Sequence, residues 1–293
     1  MTKSNIGEKV FDAFNFIFMI LVILITIYPF YYVICASFSG TAELLTHRGL
    51  LFVPLNPTLG AYKMTFSYPM VPSGYKNTLF VLVFGVPINM ILTIICAYVM
   101  ASKDVLYKDF ILAFIMFTMF FNGGMIPNFL NIRSLGLYNS LWALILPGAI
   151  SVYNSIIVKT AIEGIPDSLS EAAYIDGAHQ ITILFRIIIP LIIPTLAVIT
   201  LYYSVGHWNA WFNALLYLKD NKKLPIQAII RAILIENDMN VTTKDVTHDG
   251  RLDRFAETIK YAIIVIGTVP ILISYPFLQR YFVEGVMIGA VKG

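Results

Sequence analysis

Six stretches of the chain carry no charged residue and are predominantly apolar: Phe14–Phe38, Thr78–Met100, Phe110–Met125, Ser140–Val158, Ile187–Ser204 and Tyr261–Leu278. Apolar runs of about 17–25 residues cross a hydrocarbon layer as helices, which satisfy every backbone group internally. The pattern therefore predicts six transmembrane helices. Two long polar connections interrupt them, 163–190 and 206–256, and the whole of 1–293 reads as a single transmembrane domain. A third connection, about Ser39–Asn77, holds Pro54, Pro57, Pro69 and Pro72 among aromatic residues and is expected to form an ordered cap over the span ends. Gly85-Val86-Pro87 predicts a kink or a close-packing point. Asn122-Gly123-Gly124 must end the third helix, as an ordinary loop or as part of an external gate. Leu146-Pro147-Gly148 predicts a kinked fourth span, followed by Tyr153 and Asn154, that serves packing or lines a path.

Composition agrees with a membrane class. The chain is 58% hydrophobic and 13% charged, with a mean hydropathy of +0.77, values foreign to a soluble domain of this length. The expected fold class is all-α and polytopic. A net charge of +3 gives no reason to expect nucleic acid. Cys35 and Cys96 both fall in apolar runs, so neither a disulfide framework nor a metal spacing is present. The first apolar run exceeds a signal peptide's length and is expected to be retained.

An even number of spans places both termini on one side. With the termini inside, short inner segments hold Lys3, Lys9, Lys103, Lys108, Lys159, Arg186, Arg280 and Lys292. Short outer segments hold Arg48, Lys63, Lys76 and Arg133, and a long one holds the basic residues from Lys219 to Arg254. Counted over short loops, the bias of Lys and Arg toward the cytoplasm favours cytosolic termini.

The segment Glu163–Pro194 is the polar stretch with the best-defined start. Ile165 precedes Pro166 and is pushed out of the helical region. Ser168-Leu169-Ser170-Glu171 fits a capping box, and Gly177 is suited to a left-handed turn after the helix. The spaced set Glu171-Ala172-Ala173, Asp176-Gly177-Ala178, Phe185, Ile187 and Pro190 resembles the EAA loop of membrane subunits of ATP-binding cassette importers. The resemblance implies a coupling helix, with Glu171, Ala172, Ala173, Asp176, Gly177 and Ala178 in contact with a separate ATPase subunit. A plain capped surface helix would explain Glu171, but not the whole set.

The fifth span ends in Tyr202, Tyr203, His207, Trp208, Asn209, Trp211 and Asn213. These form either an aromatic belt at the interface or a platform on which sugar rings stack while asparagines bond hydroxyls. Candidate path residues are Asn122, Tyr153, Asn154, Tyr203, Trp208, Asn209 and Asn213. Beyond them Leu224, Ile226, Ile229, Ile230, Ile233 and Leu234 recur at helical spacing, predicting an amphipathic helix on the outer surface. Glu236–Arg254 suits contact with a soluble partner, and equally a solvated loop.

The C-terminal run Gln279–Gly293, the Asn122-Gly123-Gly124 segment and Leu141–Gly148 resemble sugar importer permeases of the maltose G-subunit kind, nearest to the oligosaccharide and polysaccharide branch that includes alginate-type systems. That likeness implies a type I ABC importer permease fold and a bacterial inner-membrane location. It also implies contact of Gly289, Lys292 and Gly293 with the ATPase. The implied partners are a second homologous permease chain, two ATPase subunits and an extracytoplasmic solute-binding protein.

No G-x-x-x-x-G-K-[ST], H-E-x-x-H or G-x-S-x-G occurs, so no cofactor or catalytic role is expected in this chain, and ATP with Mg2+ belongs to the partner. No Asp, Glu, Lys or Arg lies inside a predicted span, whereas an ion-coupled transporter usually needs one near the midplane. A secondary transporter is the alternative function, and an embedded enzyme a third.

Overall fold

The computed structural model describes residues 6–103, 105–242 and 258–273, and every regular element among them is helical. They fall into two compact units. The first comprises Met1–Pro69 with Ala232–Val269, the second Met70–Arg231 with Pro270–Gly293.

In the first unit α1 (Ile6–Ser37) is a 32-residue helix that is apolar on all sides beyond its first turns, which hold Glu8, Lys9 and Asp12. None of its most apolar 18-residue window is buried, which suits a helix whose surroundings are lipid. Its C-terminal end is anchored: Cys35 and Ala36 pack with Leu44 and Leu51. The Tyr31 hydroxyl donates to the Phe52 carbonyl at 2.6 Å, and Tyr28 accepts from Leu51 N–H at 2.9 Å. The expected cap after α1 is ordered and contains α2 (Thr41–Thr46) and α3 (Gly60–Ser67). Thr41 hydrogen-bonds Thr258 of the helix Thr258–Ile273, called α14 below, at 2.9 Å.

The second unit is built on α4 (Met70–Ala101), which starts at Met70 rather than Thr78 and carries Pro87 without breaking. Its buried stripe is Val71, Gly74, Thr78, Val81, Gly85, Asn89, Thr93, Ala97 and Met100. Residues recurring every three or four positions share one helix face, and this face is small and polar. Leu79, Val83, Ile91, Ile95 and Val99 point outward instead. That inversion belongs to a helix packed by close approach within lipid.

Two expected spans are not single helices. The third is a single helix, α5 (Lys108–Phe120), and it ends at the predicted break; α6 (Met125–Ser134) follows at 109° to it, and Gly124 between them has φ +94°. The fourth was expected to be helical from Ser140 to Val158. It is instead a 3-10 turn at Leu141–Leu144, an irregular stretch, and then α7 (Val152–Glu163). Pro147 lacks the N–H a helix needs, and the Ser151 hydroxyl starts α7 anew by accepting from Asn154 N–H.

The fifth consists of α9 (Gln180–Ile183), a π-helical turn (Leu184–Ile188), α10 (Ile189–Leu191) and α11 (Ile193–Trp208). It bends by 85° between Leu191 and Ile193, with Pro190 and Pro194 on either side. Among the described residues two helices are long and apolar enough to span a membrane, or four if each bent pair counts as one. The expected six are thus not six continuous helices; of the sixth, residues 274–278 lie outside the described residues.

The amphipathic helix expected at 224–234 is present, but its apolar face packs inside the unit rather than lying on an outer surface. After α12 (Trp211–Tyr217), α13 (Ile226–Thr242) buries Ile226, Ala228, Ile229 and Ile230. Thr78 of α4 accepts from Ile226 N–H at 2.9 Å. A Cβ at Gly74 would lie 3.2 Å from the Ile226 Cα and 3.3 Å from its nitrogen, so a glycine eases the close approach of this turn to α4.

Candidate coupling site and the polar core behind it

α8 (Asp167–Ile175) follows Pro166, whose extended ψ of 129° holds it outside the helix. The helix consequently starts at Asp167, and Ser168 sits in the first turn. No side chain caps this end, so the expected Ser168–Glu171 capping box is not formed. Asp167 supplies the favourable charge at the N-terminus, and its carboxylate accepts a 2.6 Å hydrogen bond from Lys103 Nζ. That bond, with the attendant charge attraction, holds the Lys103 ammonium above its ordinary pKa.

The other end fulfils the expectation. Gly177 has φ +80°, its N–H bonds the Tyr174 carbonyl and Ala178 N–H bonds that of Ala173, both at 3.0 Å. This pair of bonds is a Schellman cap. A Cβ at Gly177 would meet nothing within 4 Å, so a side chain is opposed there by backbone conformation alone.

The site residues divide by facing. Ala173 and Ala178 are half-buried against the cluster that includes Ala97, Ile162, Ile183 and Leu184. Glu171, Ala172, Asp176 and Gly177 are exposed. Beside them Tyr174 and Ile175 are 66% and 85% exposed, which gives α8 an uncovered apolar edge.

Behind α8 lies a cavity of about 820 Å³, lined among others by Tyr98, Lys103, Lys108, Glu163, Glu171 and Gln180. The Tyr98 hydroxyl of α4 bonds Gln180 Oε1, Lys108 Nζ donates to the Ala101 carbonyl, and Lys159 pairs with Glu163 at 2.7 Å. Both ends of the coupling segment are therefore tied to the end of α4.

The candidate path residues do not form one group. Tyr203 and Asn154 are buried and meet through Ser151, whose N–H donates to the Tyr203 hydroxyl at 3.1 Å. Trp208 is buried, with Tyr75 at 6.3 Å. An interfacial belt therefore fails to describe Tyr203 and Trp208, which are only 8% and 7% exposed. Asn122, Tyr153, Asn209 and Asn213 are exposed, and Asn122 Oδ1 accepts from its neighbour Gly124 N–H at 2.9 Å. Gly289, Lys292 and Gly293 lie outside the described residues.

Sequence reasoning missed the residues that hold this core together. Asn89 Nδ2 donates to the carbonyls of Gly148 and Ala149 at 3.2 and 2.9 Å, while Asn89 Oδ1 accepts a hydrogen bond from His207 Nε2 at 2.6 Å. One turn along α4, Thr93 bonds the Tyr203 hydroxyl at 2.6 Å. A helix broken inside a membrane needs its freed backbone groups satisfied by neighbours; Asn89 and Tyr203 do so for Gly148, Ala149 and Ser151. The available signal was a lone asparagine four residues before a threonine in an otherwise apolar run.

Residues 3–288 match the family of binding-protein-dependent transport system inner membrane components. The chain belongs to that family. It is 40% identical over 287 residues to the polygalacturonan/rhamnogalacturonan transport system permease protein YtcP of Bacillus subtilis (strain 168), covering 98% of this chain and 99% of that one. It is 41% identical over 285 residues to protein LplC of the same organism, covering 97% and 96%. A solved bacterial ABC transporter involved in the import of the acidic polysaccharide alginate shares 30% identity at a TM-score of 0.87, covering 96% of this chain and all of that one. The chain is thus an inner-membrane transport component with a permease fold.

Proposed function

We propose that this chain is one membrane half of an ATP-driven importer of oligosaccharides or polysaccharide fragments, coupled to a separate ATPase through α8. The observation that carries the reading is α8 itself. It is closed by a left-handed glycine, tied to α4 at Asp167, and presents Glu171, Ala172, Asp176, Tyr174 and Ile175 to a partner. A second permease chain completes the passage, an external binding protein delivers the sugar, and two ATPase subunits bind ATP and Mg2+. The loop 163–190 and the tail residues Gly289, Lys292 and Gly293 face those subunits, with both termini in the cytosol.

Closure of the ATPases displaces α8. The Lys103–Asp167 and Tyr98–Gln180 links pass that displacement to α4, and the proline-flanked bend ahead of α11 passes it to Tyr203, beside the path residues Asn154 and Trp208. For ATP to drive the change, it must bind one conformation better than the other. Tyr153, Asn122, Asn209 and Asn213 offer rings and amides that suit a sugar.

Reconstitution tests the reading. Uptake into proteoliposomes should require the ATPase, ATP and the binding protein together, and the chain alone should hydrolyse nothing. Sugar uptake driven by an ion gradient without any ATPase would replace the importer by a secondary transporter.

A further inference from the structure

The second unit is electrically lopsided along α4. At the end where α4 starts, residues 70–80, 122–151 and 205–231 hold six cations, Lys76, Arg133, Lys219, Lys222, Lys223 and Arg231, against the single acid Asp220. At the end bearing α8, the described residues of 102–110 and 159–187 hold four cations, Lys103, Lys108, Lys159 and Arg186, against five acids, Asp109, Glu163, Asp167, Glu171 and Asp176. A 32-residue helix separates the two ends by about 48 Å. With α8 in the cytosol, the basic end faces outward.

The basic end is also built. Asn139 holds the chain reversal after α12: its N–H donates to the Tyr217 carbonyl at 2.8 Å and its Oδ1 accepts from the N–H groups of Lys219 and Asp220. Lys223 Nζ donates to the Asn139 carbonyl at 2.7 Å, and Asn77 Nδ2 donates to the Lys222 and Leu224 carbonyls. These bonds fix the backbone and leave Lys76, Lys219 and Lys222 exposed. None of the six cations makes an ion pair among the described residues. Arg231 lies over the Trp211 ring, 3.8 Å from its centroid, with the exposed amides of Asn209 and Asn213 on the flanking turns.

We infer that this end is a receiving rim for a polyanionic sugar chain, an oligouronate, with Lys76, Lys219, Lys222 and Arg231 meeting its carboxylates. The inference rests on the importer reading and narrows its substrate class. A surface cluster of like charges raises the local concentration of an oppositely charged ligand. Rings and amides beside a cation supply the stacking surface and hydroxyl partners that distinguish a sugar acid from a simple ion. The permease and transporter of similar sequence named above handle polygalacturonan and alginate, both carboxylated polymers.

The test uses the full complex in proteoliposomes, with trigalacturonate and its methyl ester as paired probes. They share one backbone and differ in charge. Combined Lys76→Gln, Lys219→Gln and Lys222→Gln substitutions should slow uptake of the free acid about tenfold at low salt. That loss should shrink in about 0.5 M salt, where exposed charges are screened within a few ångströms. Uptake of the ester should stay as it was. Lys222→Gln alone, at a residue bonded through its backbone, should give the same selectivity at about two- to threefold. An equal loss for acid and ester would assign the cations to docking of the binding protein or to lipid headgroups and overturn the inference. No loss for either would overturn it too. The unmodified complex separates the two readings. Uptake needing no ATPase sinks the importer, whereas ATP-driven uptake of ester and acid at equal rates sinks only the rim.

Discussion

Gly177 and Lys103 set the two ends of α8 by different physics. At φ +80° a side chain is strained by about 1–2 kcal/mol, and because the space around Gly177 is open no steric clash adds to it. Gly177→Ala should therefore lower coupled uptake while leaving the chain's yield in the membrane near normal. Lys103 is raised by Asp167; a group so raised stabilises the fold fully below its ordinary pKa of 10.5 and loses that contribution as pH climbs through the higher folded value. The link is thus intact at neutral pH. Asp167→Asn should return Lys103 to its ordinary range, which a pH titration of the isotope-labelled lysine by NMR would register; an unmoved value would remove the link. The turn at Gly177 was legible because glycine just past a helix has few other uses. The start of α8 was not, since Ser168-x-x-Glu171 matches a capping box equally well one register away. The extended ψ of Pro166 decides the register, and sequence does not show ψ.

Among the elements, α4 was legible at its C-terminal end, although it starts at Met70 rather than Thr78, and the fourth and fifth spans were not. Apolar composition reports that a segment lies in the membrane, but not whether one helix crosses it. The break at Pro147-Gly148 is stable because Asn89 of α4 meets its freed carbonyls and Thr93 holds the Tyr203 hydroxyl that accepts from Ser151 N–H. Asn89→Leu should destabilise the detergent-purified complex by about 1–3 kcal/mol, since it strands two carbonyls and the His207 donor. Thr93→Val, which forfeits one bond, should cost about 1 kcal/mol. Thermal denaturation monitored by tryptophan fluorescence would compare them, and an Asn89→Leu protein as stable as the parent would show the network to be incidental. Gly85 belongs to the same account, because a Cβ there would press to within 2.9 Å of His207 Nε2.

For the whole molecule, orientation and force transmission are linked, because α8 and the basic rim lie at opposite ends of α4. A single cysteine replacing Lys222, with Cys35 and Cys96 removed, should react with an impermeant maleimide on intact spheroplasts; labelling only after lysis would turn the molecule over. Glu171 carries no capping bond, so Glu171→Gln should impair coupling as much as Glu171→Ala. The most direct test of the central claim is ATP-driven sugar uptake by complexes carrying Gly177→Val and Glu171→Ala together, measured beside ATP hydrolysis. If α8 transmits the ATPase stroke, the complex should assemble in the membrane yet import no sugar and lose the stimulation of hydrolysis by loaded binding protein. Full uptake by the double variant would contradict it.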